Sequence, residues 1–125
     1  MTTTINPVVH FADLDGGVRY LVETFGFEEV VVHRDDAGAA QYAELTLDGV
    51  PMGAGPRAEG SMFDLGPFSV YISLDEVDSM HERAVAAGAE IAMPPTDQDY
   101  GSRDFVARDP EGNLWCFGTF TPGAA

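Results

Sequence analysis

Residues 100–118 read YGSRDFVARDPEGNLWCFG. Phe105, Val106 and Ala107 run into Asp109-Pro110-Glu111-Gly112-Asn113, and Leu114 to Phe117 lead away from it. Proline presets φ to about −65° early in a turn, and glycine takes the positive φ that other residues resist. The stretch therefore predicts two antiparallel strands joined by a tight turn. Its return strand is apolar at nearly every position, which predicts cover on both faces.

Working outward from this hairpin, a second copy of its surroundings lies upstream. Asp13 to Gly26 and Asp75 to Gly88 have the same separation, and each pair brackets a helical pattern. In the first, Leu14, Val18, Leu21, Val22 and Phe25 fall on one helical face, with Asp13 placed as N-cap and Gly26 as C-cap. In the second, Val77, Met80, Ala84 and Ala87 mark the face, and Asp75-Glu76-Val77-Asp78 resembles a capped start. Phe25-Gly26-Phe27-Glu28 echoes Ala87-Gly88-Ala89-Glu90, and Asp48-Gly49 echoes Glu111-Gly112.

Strands are predicted over Ile5–Ala12, Phe27–His33, Gln41–Leu47, Val50–Ala54, Phe68–Leu74 and Glu90–Met93, with a loop from Pro94 to Ser102. Each half then reads strand, helix, three strands. The expected organisation is one domain over 1–125, with module one at 5–54, a linker or covering loop at 55–67, and module two at 68–120. Such a module leaves one sheet face uncovered, so two are expected to combine their curved sheets around a core or cleft.

Composition narrows the function classes. The six cations are all arginine, against 21 Asp and Glu, for a formal net charge of −15. Without lysine there is no Schiff base and no P-loop. Binding to a nucleic-acid backbone is disfavoured at this charge. The acidity suits cationic small molecules, or equally plain solubility or adaptation to salt. The lone cysteine, Cys116, excludes an internal disulfide framework and fits a reducing cytoplasm, and no apolar run approaches the ~18 residues of a membrane span.

The segments ADLDGGVRYLVETFGFEE, LDEVDSMHERAVAAGAEI and YGSRDFVARDPEGNLWCFG together resemble the vicinal oxygen chelate superfamily. That group includes glyoxalase I, extradiol dioxygenases, fosfomycin-modifying enzymes and bleomycin-binding resistance proteins. The resemblance covers most of Ile5–Phe120. It implies an α+β fold of paired βαβββ modules whose mixed sheets form a cleft, commonly in a homodimer. It also implies a divalent metal held by His, Gln or Glu. By position those ligands fall near Asn6, Met52 or Gly53, Pro67 or Phe68, and Cys116. These residues are poor oxygen or nitrogen donors, so no metal or other cofactor is expected.

The candidate ligand-binding residues are Asn6, His10, Phe68, Tyr100, Arg103, Trp115 and Cys116. His10 shares strand parity with Asn6 and Val8, and is a candidate base. Arg103 is a candidate carboxylate clamp, or else a partner of Asp97, Asp99 or Glu111. Cys116 reads as a buried small hydrophobe rather than a nucleophile. His33 and His81 read as surface residues. Tyr42, Tyr71, Phe68, Phe105 and Trp115 supply rings for a cleft or a core. The leading expectation is metal-independent binding or sequestration of a small organic, cationic or aromatic, molecule. Its rivals are a glyoxalase-like lyase or dioxygenase with a shifted metal site drawn from His10, Glu44 or Cys116, and a metal-free enzyme using His10 and Arg103.

Overall fold

The computed structural model describes residues 3–64 and 66–120; Leu65, in the expected linker, lies outside them. The chain packs as two compact units, Met1–Gly66 and Pro67–Ala125. In the first, strand β1 (Val8–Phe11) is followed by helix α1 (Leu14–Phe25), then β2 (Glu28–Arg34), β3 (Ala40–Leu47) and β4 (Val50–Pro56). In the second, β5 (Ser69–Ser73) is followed by α2 (Val77–Ala86), then β6 (Glu90–Asp97), β7 (Arg103–Arg108) and β8 (Leu114–Gly118). The sheet orders are β1-β4-β3-β2 and β5-β8-β7-β6, with β1 parallel to β4 and β5 parallel to β8. One topology occurs twice, the structural counterpart of the sequence repeat. The fold is α+β, with two open four-stranded mixed sheets and one helix in each unit.

Unit 1 folds as its patterning dictates. Asp13 caps α1 by accepting from the Gly16 N–H at 3.0 Å, and Gly26 ends the helix at φ 82°. Leu14, Val18, Leu21 and Phe25 are buried against Val9, Phe11, Ala43, Leu45, Met52 and Ala54, the residues at alternate positions of the sheet. Gly17 lets the helix lie directly on the Phe11 ring, where a Cβ would collide. The β3–β4 turn places Asp48 at φ 51° and Gly49 at φ 78°, the two positive values a two-residue hairpin of right-handed twist requires. Asp13→Ala removes the cap, and a loss of about 1 kcal/mol is expected in the urea midpoint. A shift under a few tenths would mean that neighbouring groups or water replace the cap.

Unit 2 follows the same plan with some corrections. Val77 and Ala84 are buried, Met80 is half-buried, and Ala87 is exposed beyond the helix end. Glu76, at the N-cap of α2, makes no side-chain cap bond, so the capped start expected at residues 75–78 is not formed. Strand β6 runs to Asp97, straight through the Pro94–Pro95 pair where a loop was expected. It is an edge strand with register shifts between Ile91 and Met93 and between Met93 and Thr96, and there a missing N–H is tolerated. Residues 55 and 56, assigned to the linker, instead belong to β4, pairing with His10 and Phe11. Strand β8 is fully buried through Trp115 and Phe117, while Leu114 and Cys116 remain half-buried, so only one of its faces is fully covered.

Candidate functional site

The helix covers one face of the unit 1 sheet, and the other face carries rings. His10 of β1 lies over Gly55 of β4, where an added Cβ would stand 3.4 Å from the imidazole Cδ2. Tyr42 of β3 lays its hydroxyl over Gly53, 2.5 Å from where a Cβ would sit. Gly53 is what lets the Tyr42 ring approach the backbone so closely, whereas at Gly55 an added Cβ would only touch His10 at ordinary contact distance. His10 stacks on Phe63 with centroids 5.2 Å apart and planes at 9°, and Tyr42 stacks on His33 at 6.2 Å and 19°. Phe63 belongs to the loop after β4 and is 54 % exposed. That loop is tied at its base, where Arg57 donates from its backbone N–H to the Phe11 carbonyl at 2.8 Å and from Nη2 to Asp64 at 3.4 Å.

Unit 2 presents a different chemistry on the face away from Trp115 and Phe117. Asp104, 5 % exposed, accepts from the hydroxyls of Ser102 at 2.6 Å, Tyr71 at 2.8 Å and Tyr100 at 2.9 Å. Burial pushes its carboxyl up, but the Ser102, Tyr71 and Tyr100 hydroxyls outweigh burial and hold it below the usual carboxylate range. Burial pushes Tyr71 up, and the Asp104 hydrogen bond does the same to Tyr100. The Phe120 N–H donates to both Tyr71 and Ser102, and the Ser73 hydroxyl donates to the Phe120 carbonyl. Gly118 is required beneath this network, because any Cβ there would overlap Asp104 and the Tyr71 hydroxyl.

The expected site residues are distributed among different environments. Asn6 is exposed ahead of β1, its amide donating to Thr4. His10 lies on the ring-bearing face of unit 1. Phe68 packs edge-on against Trp115, which is 0 % exposed with its indole N–H donating to Asp109 at 3.0 Å. Tyr100 is 67 % exposed and tied to Asp104. Arg103 bonds Asp97 and Asp78, both at 3.1 Å; the expected partners Asp99 and Glu111 are not the ones used. His33 is exposed, whereas His81, expected at the surface, is half-buried with its ring against Phe105. Phe63, Arg57, Ser102 and Asp104 carry no spacing or motif that marks them as site residues in the sequence. The signal for the ring face was Gly53-Ala54-Gly55 within a strand, a mark of close approach to the backbone.

The donor set does not fit the divalent ion that the resemblance implies. Gly53 lies under a tyrosine, Phe68 packs on Trp115, and Asn6 offers only a neutral amide oxygen from an exposed position ahead of β1. Burial pushes the Cys116 thiol up, and the charge of Asp104 adds to this, which disfavours the thiolate that would bind a metal. Among the described residues, no three His, Cys, Asp or Glu side chains are grouped to hold a metal ion. A groove of about 640 Å³ lies elsewhere on unit 1, between α1 and β2, lined by Val18, Val22 and the charged Asp15, Arg19, Glu23, Glu29 and Arg34. Its Arg34 is already committed to Asp15, at 2.7 Å.

Comparison with known proteins agrees with the topology. A family model for the glyoxalase/bleomycin resistance protein/dioxygenase superfamily matches residues 8–117. Over 52 residues, 42 % of this chain, identity is 35 % to Mb0911c of Mycobacterium bovis and to Rv0887c of Mycobacterium tuberculosis. The chain spans about a third of the length of these curated relatives, 34 % and 31 %. Among solved structures, TioX from Micromonospora sp. ML1 superposes with a TM-score of 0.77 at 28 % identity, over 92 % of this chain and 98 % of that one. Lactoylglutathione lyase from Agrobacterium tumefaciens gives 0.73 at 21 % identity, over 94 % and 93 % of the two chains. The fosfomycin resistance protein FosX from Listeria monocytogenes gives 0.66 at 18 %, over 98 % and 96 %. These last two likenesses concern the fold alone. With the repeated βαβββ topology and a family match that runs from β1 into β8, the chain belongs to the glyoxalase/bleomycin resistance protein/dioxygenase superfamily.

Proposed function

We propose that this protein binds and sequesters a small aromatic organic molecule, without a metal ion, by stacking it on the ring-bearing sheet face of unit 1. The observation that carries this reading is the His10–Phe63 and Tyr42–His33 stacks laid over Gly53 and Gly55. The His10 and Tyr42 rings, fixed on paired strands, offer a face on which a planar ligand gains stacking and apolar burial, as the Phe63 ring already does on His10. Sequestration needs no catalytic group, in keeping with an Arg103 held by two carboxylates and a Cys116 thiol kept protonated. The net charge of −15 draws cationic compounds from a distance, so cationic aromatics belong among the probes.

The test is a titration of the purified protein with flat aromatic compounds and, in parallel, with Ni²⁺, Mn²⁺ and Fe²⁺. Micromolar binding of an aromatic compound is expected, with His10→Ala and Tyr42→Ala each weakening it roughly tenfold. Stoichiometric metal binding that disappears in His10→Ala would overturn the proposal and favour a lyase or dioxygenase. Assembly as a homodimer and a cytoplasmic location belong to the same reading, and light scattering at micromolar protein checks the first. No helix among the described residues is long and apolar enough to cross a membrane.

A further inference from the structure

We infer that Phe63 and Asp64 fill, in the free protein, a two-part subsite whose ligand is an aromatic carboxylate. This rests on the ring-stacking reading above and names the chemical class that the face selects. Two adjacent residues of one loop each satisfy a different group of the sheet. Phe63 lies in a nearly parallel, offset stack with the His10 imidazole, and Asp64 offers its carboxylate to Arg57. From neighbouring positions of one loop they supply a ring to His10 and a carboxylate to Arg57, the two groups of an aromatic acid.

The internal occupant is a poor fit at its charged end. The Arg57–Asp64 contact is a single one of 3.4 Å, longer than the roughly 2.7–2.9 Å of a good charge-assisted bond. Arg57 Nε is buried and has no hydrogen-bond partner among the described residues, although a guanidinium fork is built for two parallel bonds to one carboxylate. Asp64 is also shared, accepting from the Gly60 N–H at 3.4 Å. Arg57 is the first residue beyond β4, its N–H still bonded to the Phe11 carbonyl at 2.8 Å, and it keeps the strand parity of Gly55, the residue opposite His10. A ligand carboxylate engaging Nε and Nη2 together would satisfy the buried donor that Asp64 leaves unmet.

The loop has the construction to step aside. Gly60 and Gly66, on either side of Phe63 and Asp64 in sequence, stand at φ 81° and 84°. Its ring is half in solvent, and Met62 beside it is 79 % exposed, so little burial opposes displacement. The affinity of an outside acid is therefore reduced by the fraction of time that Phe63 and Asp64 hold the site, and loosening them raises it.

The experiment compares 2-naphthoate, its neutral amide and the cationic 2-naphthamidine by calorimetric titration of the full chain and three variants. The acid is expected to bind roughly tenfold tighter than the amide, the gain of a charge-assisted bond to a half-buried guanidinium. Asp64→Asn should strengthen the acid severalfold and the amide distinctly less, widening the gap between them. Phe63→Leu should strengthen both. Arg57→Gln should bring acid and amide to equal affinity; if it misfolds by circular dichroism, the opposite-signed Asp64→Asn result decides. Equal binding of acid and amide, or tighter binding of the amidine, overturns the carboxylate subsite while the stacking reading stands. Failure of all three compounds to bind overturns both.

Discussion

Asp109→Ala is expected to lower the unfolding free energy by roughly 3–5 kcal/mol, a large part of what holds a domain of this size together. Asp109 opens the turn of the final hairpin and is 4 % exposed. Its Oδ1 accepts from the N–H groups of Glu111 at 2.9 Å and Asn113 at 3.0 Å. Its Oδ2 accepts from Asn113 Nδ2 at 2.9 Å and the Trp115 indole at 3.0 Å. Asn113 then passes the connection on, accepting from the Phe68 N–H at 3.1 Å just ahead of β5. One carboxylate thus joins the turn, the core indole and the entry to a parallel strand forty residues upstream in sequence. Alanine strands these buried donors together, and a buried donor without an acceptor costs far more than a made bond contributes. Urea denaturation at neutral pH reads the effect as a lowered midpoint with an unchanged slope. Asp109→Asn, which keeps one acceptor and turns the other toward donors, should fall between wild type and alanine. A loss below about 1 kcal/mol in the alanine variant would show that the turn is held by its backbone alone.

The second large effect is centred on Asp104. Asp104→Asn should cost about 2–3 kcal/mol at pH 7, because the carboxamide offers N–H groups to hydroxyls that are already donating. The pH profile carries the more specific signature. A carboxyl held below its ordinary value by three hydroxyls contributes stability that is fully present above the unfolded value, about 3.9, and is lost as pH falls through the folded one. The tyrosines work in the other direction. Tyr71 and Tyr100 are raised, so the unfolded chain loses its phenolic protons first, and the contribution declines as pH climbs past about 10. Wild type should therefore lose stability at both ends, and Asp104→Asn should flatten the acid limb. An unchanged acid limb in that variant would refute the assignment. Gly118→Ala approaches the same network from below, since its methyl displaces both Asp104 and the Tyr71 hydroxyl. Its φ is unremarkable, so any loss reports on the network rather than on backbone strain.

Much of the architecture is legible along the chain because the interactions behind it are local. Asp13 caps α1 from three residues away, and Asp48-Gly49 supplies two positive φ values side by side. The DPEGN turn closes through bonds spanning two to four residues. The repeated spacing from Asp13 to Gly26 and from Asp75 to Gly88 foreshadows two sheets of one topology. Apart from the α2 cap, which is local, the errors fall where the deciding partner is remote. The Pro94–Pro95 pair reads as a loop until β6 is known to lie at a sheet edge. Arg103 finds Asp78, twenty-five residues upstream, as well as the nearby Asp97.

The candidate sites divide in the same way. His10 is identifiable from strand parity, and the glycines at 53 and 55 mark where rings approach the backbone. That Phe63 reaches back from a Gly- and Pro-rich loop to stack on His10 cannot be inferred from spacing, because a loop has no periodicity to aim its side chains. Asp104 reads as one more acid among 21, and becomes a hub only when β5, β7 and the loop before β7 bring three hydroxyls onto it.

By itself, then, the sequence determined the repeat, the two helices and the burial face of α1, the two tight hairpins and the poverty of metal donors at the expected positions. Each of these depends on residue type and short-range periodicity. Only the tertiary structure decided that Trp115 is held in the core by Asp109, that Arg103 is tied to two carboxylates, and that Arg57 keeps a buried Nε without a partner among the described residues. The physical reason is that a side chain's chemistry depends on which long-range partners satisfy it, and strand pairing, not spacing along the chain, selects those partners.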